Sequence, residues 1–332
     1  MMRRPLPVVE RPDAWPASYG DEARPRLGFF TDTTLCIGCK ACEVACKEWN
    51  DVPADGYVWT GNSYDNTGGL SANTWRHVAF IEQDRPLHVA PSKARLREAE
   101  VRDGAARPDA APLRDRSSGG APRGDGYPPP DAPRGDGGEG MRWLMSSDVC
   151  KHCTDAACLD VCPTGALFRT EFGTVVVQQD VCNGCGYCVV ACPFGVIGRR
   201  EIAGSKGVGM AQKCTLCYDR TKDGLEPACA KACPTESIQF GKLDELRERA
   251  SRRLEQVVAR GFDGARLYGA NPDDGVGGFG AFFLLLDEPE VYGLPPDPVA
   301  TTRDLPSIYG WMALAAGTLG ALVGLSFLGG RR

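Results

Sequence analysis

The sequence is poor in the groups from which most catalytic sites are assembled. It has three histidines, and they do not cluster. No nucleophile stands beside a base in any recognisable arrangement, and no glycine run has the spacing that cradles a phosphate. Excess basic charge is also missing. Its 38 lysines and arginines are set against 43 acidic residues, a formal net charge of −5, which excludes the electrostatic footprint of a nucleic-acid-binding chain. The first stretch, MMRRPLPVVERPDAWP, has no apolar centre and is rich in proline, so it is not expected to serve as a secretory signal. Arg3-Arg4 lacks the apolar run that would make it a twin-arginine signal.

Two further scarcities are local. Residues 91–140 hold nine glycines and eight prolines but a single aromatic, Tyr127, and repeat the hexamer APRGDG. Such a stretch cannot bury enough apolar surface to offset its ordering entropy, so a surface loop or linker is expected there. Its RGD triplets read as chance features of a low-complexity tract. From Leu305 to Gly330 charge is absent altogether.

Cysteine, by contrast, is abundant. All sixteen cysteines among the 332 residues fall into groups of four. The first is Cys36, Cys39, Cys42 and Cys46, in CIGCKACEVAC. The second is Cys150, Cys153, Cys158 and Cys162. The third is Cys182, Cys185, Cys188 and Cys192, in CNGCGYCVVACP. The fourth is Cys214, Cys217, Cys229 and Cys233. Every group opens with two cysteines three apart and closes with two cysteines four apart.

Three chemistries compete for this pattern. A disulfide framework belongs to short secreted chains, and the N-terminus does not support that route. Structural zinc needs two pairs around a tetrahedral ion, and has no use for a third closely spaced cysteine or for a proline after the fourth. C-x2-C-x2-C-x3-C-P is the bacterial ferredoxin run, in which three thiolates hold one iron–sulfur cubane and the fourth reaches its neighbour. The repeated spacing and the use of every cysteine favour iron–sulfur. A zinc-binding interaction scaffold remains the distant alternative.

The spacing suits that chemistry. A short loop wraps a cluster corner and turns its N–H groups toward sulfur. Gly38, Ala41, Gly184 and Gly186 allow close backbone approach. Pro163, Pro193 and Pro234 suit a first helical turn, whereas Lys47 replaces proline after the first group and is expected to alter its exit. ACLDVCPTGAL, YCVVACPFGVI and ACAKACPTESI repeat one unit, which points to duplicated ferredoxin modules. Only a short strand-like run, 172–180, separates groups two and three. Order along the chain therefore pairs them as an inner module and leaves groups one and four as an outer module.

CIGCKACEVACKEWND, YDNTGGLSANTWR, CNGCGYCVVACPFG, KCTLCYDRTKDGLEPACAKACPTESIQFG and the later VGGFGAFFLLLDEPEVYGLPPDP together resemble the iron–sulfur (beta) subunit of membrane-bound respiratory formate dehydrogenases, over roughly 30–85 and 143–330. The resemblance implies an α+β fold of two ferredoxin-like double-[4Fe–4S] modules plus a C-terminal transmembrane helix. It implies four [4Fe–4S] clusters with crossed ligands. One set is Cys36, Cys39, Cys42 and Cys233; a second is Cys214, Cys217, Cys229 and Cys46. The third is Cys150, Cys153, Cys158 and Cys192, and the fourth is Cys182, Cys185, Cys188 and Cys162. It further implies a non-catalytic electron-transfer role, taking electrons from a molybdenum or tungsten pterin catalytic subunit to a cytochrome b-type membrane subunit and quinone. A membrane-bound hydrogenase or another molybdopterin oxidoreductase could carry the same wire. The chain departs from the family at Ala156 and at 196–200, where prolines are usual.

The expected organisation is an N-terminal tail (1–27), the first motif with its flank (28–90), the insertion (91–140), the inner module (141–205), the fourth motif (206–241), a helix–strand extension (242–304) and an anchor (305–332). Leu243, Leu246, Ala250, Leu254 and Val257 recur at helical steps over 242–260, with Gly261 as a stop. FGAFFLLL at 279–286 reads as a buried strand. His152 either hydrogen-bonds near a cluster or is an ordinary loop polar group. Trp49 and Lys213 flank ligands but are as well explained by packing and surface charge. The stretch 308–330 would span roughly 35 Å as a helix, enough for a ~30 Å hydrocarbon core. Ala313, Gly317, Gly320 and Gly324 form a row of small residues suited to a neighbouring membrane helix. The terminal Arg331-Arg332 pair favours a cytoplasmic C-terminus, hence clusters on the outer, periplasmic face.

Overall fold

A computed structural model describes residues 19–56, 64–83, 142–202 and 209–329. The insertion at 91–140, the tail before residue 19 and the terminal arginines lie outside the described residues. The strands are β1 (Leu27–Asp32), β2 (Arg76–Gln83), β3 (Arg142–Val149), β4 (Leu167–Arg169), β5 (Val175–Val177), β6 (Gly198–Arg200), β7 (Met210–Gln212), β8 (Ile238–Lys242), β9 (Arg266–Tyr268) and β10 (Ala281–Leu285). The helices are α1 (Ala41–Trp49), α2 (Ala157–Asp160), α3 (Tyr187–Ala191), α4 (Tyr218–Lys222), α5 (Ala228–Lys231), α6 (Leu243–Ala259) and α7 (Leu305–Gly329).

One four-stranded sheet, ordered β8-β1-β10-β9, divides the interior. β1 runs parallel to β10 and antiparallel to β8, with Phe30 opposite Phe282 and Gln239. Successive strand residues face opposite sides. Phe29 therefore packs among the cysteines, while Phe30 packs with Leu243, Leu246 and Ala250 of α6 and stacks on Phe282 at 5.3 Å. β10 is buried along its whole length, as its unbroken apolar run requires. The expected helix at 242–260 is α6, which buries Leu243, Leu246, Ala250 and Val257 and carries Asp244 and Glu245 in its first turn. The segment after residue 242 is thus built onto the first strand of the chain.

β2 and β3 form an antiparallel ladder from Arg76↔Val149 to Gln83↔Arg142. The segment that contains the insertion leaves and re-enters at paired positions. A long connection closed at such a point adds little entropy per extra residue. The remaining ladders, β4–β5 and β6–β7, are three residues a strand, and α2 to α5 are four or five residues each. Elements this short are not stable by themselves. They share a core in which the cysteine side chains pack with Phe29, Val149, Leu167, Val175 and Ile197.

α7 is 25 residues long. Its stretch Ser307–Phe327 has a mean hydropathy of 1.6 and is 0% buried. A buried core helix would pack against the rest of the protein, and this one does not. It is long and apolar enough to cross a membrane.

Candidate metal centres

All sixteen cysteines are free thiols. Chain reversals at the motifs bring distant ones together. The loop after β1 carries Cys36 and Cys39 into α1, which supplies Cys42 and Cys46. Gly38 (φ +67°) and Lys40 (φ 59°) take left-handed conformations to make the wrap. An ideal Cβ on Gly38 would stand 2.6 Å from Phe80 Cε1 and 2.8 Å from Met145 Sδ, so a larger residue at this positive φ would have to displace both side chains. Burial lifts the Cys36 thiol to about 11. The nearby Gly38 N–H opposes that shift, and Cys42, Cys233 and Cys39 add to it. These are the neighbours of a first set.

Cys46 faces the other way. Burial raises its thiol far above the ordinary value, and Cys214, Cys229 and Cys217 reinforce the shift. Asn50 Nδ2 stands 3.7 Å from Cys46 Sγ and 3.8 Å from Cys217 Sγ, and the Leu216 N–H donates to Cys214 Sγ at 3.3 Å. Leu216 and Cys217 adopt φ of 58° and 47° to wrap this second set.

Cys150, Cys153, Cys158 and Cys192 line one pocket, with Lys151, His152, Phe194 and Lys213 in its wall. Burial raises Cys153 strongly, and Cys150, Cys158 and Cys192 raise it further. Burial likewise puts Cys158 at about 12, against the opposing pull of Lys213. A second pocket is lined by Cys162, Cys182, Cys185 and Cys188 with Gly184, Gly186 and Arg199. Burial, then Cys182, Cys162 and Cys185, lift Cys188 to about 11. Burial alone would raise Cys162 too. Hydrogen bonds from Leu167, Thr164 and Ala166 outweigh it and hold that thiol below its ordinary value.

The sets also meet one another in a row. Cys42 feels Cys229, Cys214 feels Cys150, and Cys158 feels Cys188. Cys39 and Cys185 are exposed, one in the first set and one in the last.

Four buried thiols that raise one another cannot all ionise without added positive charge, which iron supplies. N–H groups already turned toward sulfur suit a cluster. Among the described residues, no three His, Cys, Asp or Glu side chains are gathered as they would be around one ion. The thiols of the third and fourth sets instead line pockets, which a cubane fits better than zinc.

Several contributors carry no local sequence signal. Arg76 ends the run YDNTGGLSANTWR and Ser147 lies in β3, and neither residue type marks a cluster contact, yet Ser147 Oγ is 3.3 Å from Cys42 Sγ. Asn50 lies one turn beyond Cys46. Lys213 corrects the surface-charge reading: it is 1% exposed and donates to Cys214 O at 2.7 Å and to Val175 O. His152 is buried, accepts the Val175 N–H on Nδ1 at 3.2 Å, and leaves Nε2 unpartnered among the described residues. Trp49 is half-exposed; its indole donates to Asp219 at 2.8 Å and lies under Arg220.

Comparison with known proteins agrees with this geometry. Residues 35–166 and 141–243 each match a family model described as a 4Fe-4S dicluster domain. The iron-sulfur subunit of the nitrate-inducible formate dehydrogenase of Escherichia coli (strain K12) is 33% identical over 321 residues, covering 94% of this sequence and 87% of that protein. The formate dehydrogenase iron-sulfur subunit of Haemophilus influenzae is 33% identical over 287 residues, 85% of this sequence and 73% of its own. The B subunit of the anaerobic dimethyl sulfoxide reductase of Escherichia coli is 29% identical over 229 residues, 68% of this sequence and 77% of its own. Two dicluster domains and sixteen cysteines give the protein four [4Fe–4S] clusters.

Proposed function

Because this protein belongs to the family of formate dehydrogenase iron–sulfur subunits, we propose that it conducts electrons from a formate-oxidising catalytic subunit to a membrane cytochrome b and quinone. It is an electron-transfer subunit; its place between those two partners is the inference. One observation carries it: the thiol sets stand in series, and the exposed thiols Cys39 and Cys185 lie in the first and last of them.

The ligand sets follow the neighbours. Cys36, Cys39, Cys42 and Cys233 would hold the first cluster, and Cys46, Cys214, Cys217 and Cys229 the second. Cys150, Cys153, Cys158 and Cys192 would hold the third, and Cys162, Cys182, Cys185 and Cys188 the fourth. When bound, each cluster supplies a one-electron centre whose potential is set by burial and by hydrogen bonds to sulfur. The crossed use of Cys46, Cys233, Cys162 and Cys192 ties the motifs into an outer and an inner module. The buried middle sets exclude water from the path between the ends.

Before α7 begins, Thr301 donates to Ala191 O at 3.4 Å and Thr302 to Asp160 Oδ2 at 2.5 Å. These residues belong to α3 and α2, beside the third and fourth sets. The apolar helix therefore leaves from the inner module, which points the Cys185 end toward the membrane and the Cys39 end toward the catalytic subunit with its molybdenum or tungsten pterin. The terminal arginine pair argues for clusters on the outer face.

The likeness to a dimethyl sulfoxide reductase subunit supports a second reading, the same wire serving another molybdopterin oxidoreductase. Capture of the tagged protein from gently solubilised anaerobic membranes separates the two. A co-purifying large subunit with formate-dependent dye reduction is expected. A brown complex that ignores formate but responds to another donor or acceptor would overturn the formate assignment and keep the wire.

A further inference from the structure

Arg76 opens β2 opposite Val149 and is 1% exposed. Its Nη1 donates to Ser147 Oγ at 3.0 Å and to Ser147 O at 3.3 Å, and the guanidinium lies 4.8 Å from the centre of the Phe29 ring. Nε and Nη2 have no partner among the described residues, and no carboxylate there pairs with the charge. A buried guanidinium with two unused donors is costly unless an anionic acceptor meets it. Ser147 Oγ, which Arg76 holds, is itself 3.3 Å from Cys42 Sγ, and the thiols whose charge acts on the guanidinium are Cys229, Cys42, Cys214 and Cys46, drawn from the first two sets together. Arg76 in turn opposes the effect of burial on Cys42, Cys46 and Cys229.

We propose that Arg76 is a fixed cation bridging the first and second clusters, with its free Nε–H and Nη2–H donating to their sulfur atoms and holding both reduction potentials up. Reduction adds negative charge to a cluster, and a cation beside it stabilises the reduced form more than the oxidised one. Arginine keeps its charge at any pH the protein meets, and its planar fork can serve acceptors on two sides. Arg76 is a positioning and tuning residue. It ligates no iron. The proposal rests on the four-cluster reading above.

The test uses the anaerobically purified complex with the full-length protein, as wild type, Arg76→Gln and Arg76→Lys. Iron and labile sulfide are assayed, and cluster potentials are read by redox titration with electron paramagnetic resonance. In Arg76→Gln two of the four potentials are expected to fall and the other two to stay. The fall corresponds to about a tenfold loss in the reduced-to-oxidised ratio, or about 59 mV for a one-electron couple. Arg76→Lys keeps the charge and loses the fork, so the same pair should fall by less. A fully loaded Arg76→Gln complex with four unchanged potentials, or with all four moving together, overturns the proposal. Should Arg76→Gln fail to load, fully loaded Arg76→Lys decides alone: lowered potentials at that pair support the bridge, and unchanged ones refute it. A wild-type complex with too little iron and sulfide for four clusters would instead remove the underlying reading.

Discussion

Asn50 holds its Nδ2 3.7 Å from the sulfur of Cys46. The same nitrogen is 3.8 Å from Cys217 Sγ, so one side chain reaches two thiols from opposite ends of the sequence. A donor to sulfur favours the reduced cluster. Asn50→Ala should therefore lower one potential and leave three in place. A net hydrogen bond is worth about 1 kcal/mol, on the order of 40 mV for a one-electron couple. Redox titration of the variant complex checks this, and an unmoved set of potentials would show that Asn50 only caps α1.

Gly38→Ala should cost the first cluster selectively. The new Cβ would meet Phe80 and Met145, cross-strand partners in the β2–β3 ladder, at a backbone conformation that alanine tolerates poorly. Strain of about 1–3 kcal/mol is expected. The readout is iron content: a complex lacking one cluster in four is the expected product, and full loading would show that the ladder yields.

Iron removal should unravel the modules unevenly. The short strands β4 to β7 and helices α2 to α5 share a core built on cysteine side chains. The β8-β1-β10-β9 sheet has a second core of Phe30, Phe279, Phe282, Phe283, Leu243 and Leu246, whose buried residues include no cysteine and against which only Cys153 among the thiols packs. Hydrogen exchange after anaerobic chelation should rise steeply in β4 to β7 and α2 to α5 and much less in β10 and α6. Uniform exchange throughout would mean that the clusters and the sheet fold as one unit.

Gly320→Leu should loosen the membrane partner without touching the clusters. Among the described residues, nothing outside the helix's own backbone lies within 4 Å of a Cβ built on Gly317, Gly320 or Gly324, so their row is open to another helix. The variant should keep its iron and its formate-dependent dye reduction while losing haem on purification. Retained haem would place the contact elsewhere on α7.

The parts of the molecule that were legible in the sequence are those written in local pattern. The cysteine spacing, the 3.6-residue period of α6 and the apolar run of β10 each declare themselves within a few turns of chain. Arg76 and Asn50 fall inside runs that mark the family, but neither they nor Ser147 declare what they touch. Arg76 is an ordinary arginine in an ordinary strand until the β2–β3 ladder, Phe29 and two thiol sets close around it. Lys213 read as surface charge for the same reason: its burial depends on Val175, a residue of a different ladder. Nor could spacing reveal that the strand at 281–285 pairs in parallel with the first strand of the protein, since such pairing is set by long-range packing.

The most direct test of the serial wire is to break it at its membrane-facing exit end. Cys185→Ala is made in the full complex, and electron flow from formate is measured to an artificial dye and to quinone in the same preparation. Dye reduction is expected to persist while quinone reduction is lost. Quinone reduction at the wild-type rate in a complex shown to lack the fourth cluster would contradict it.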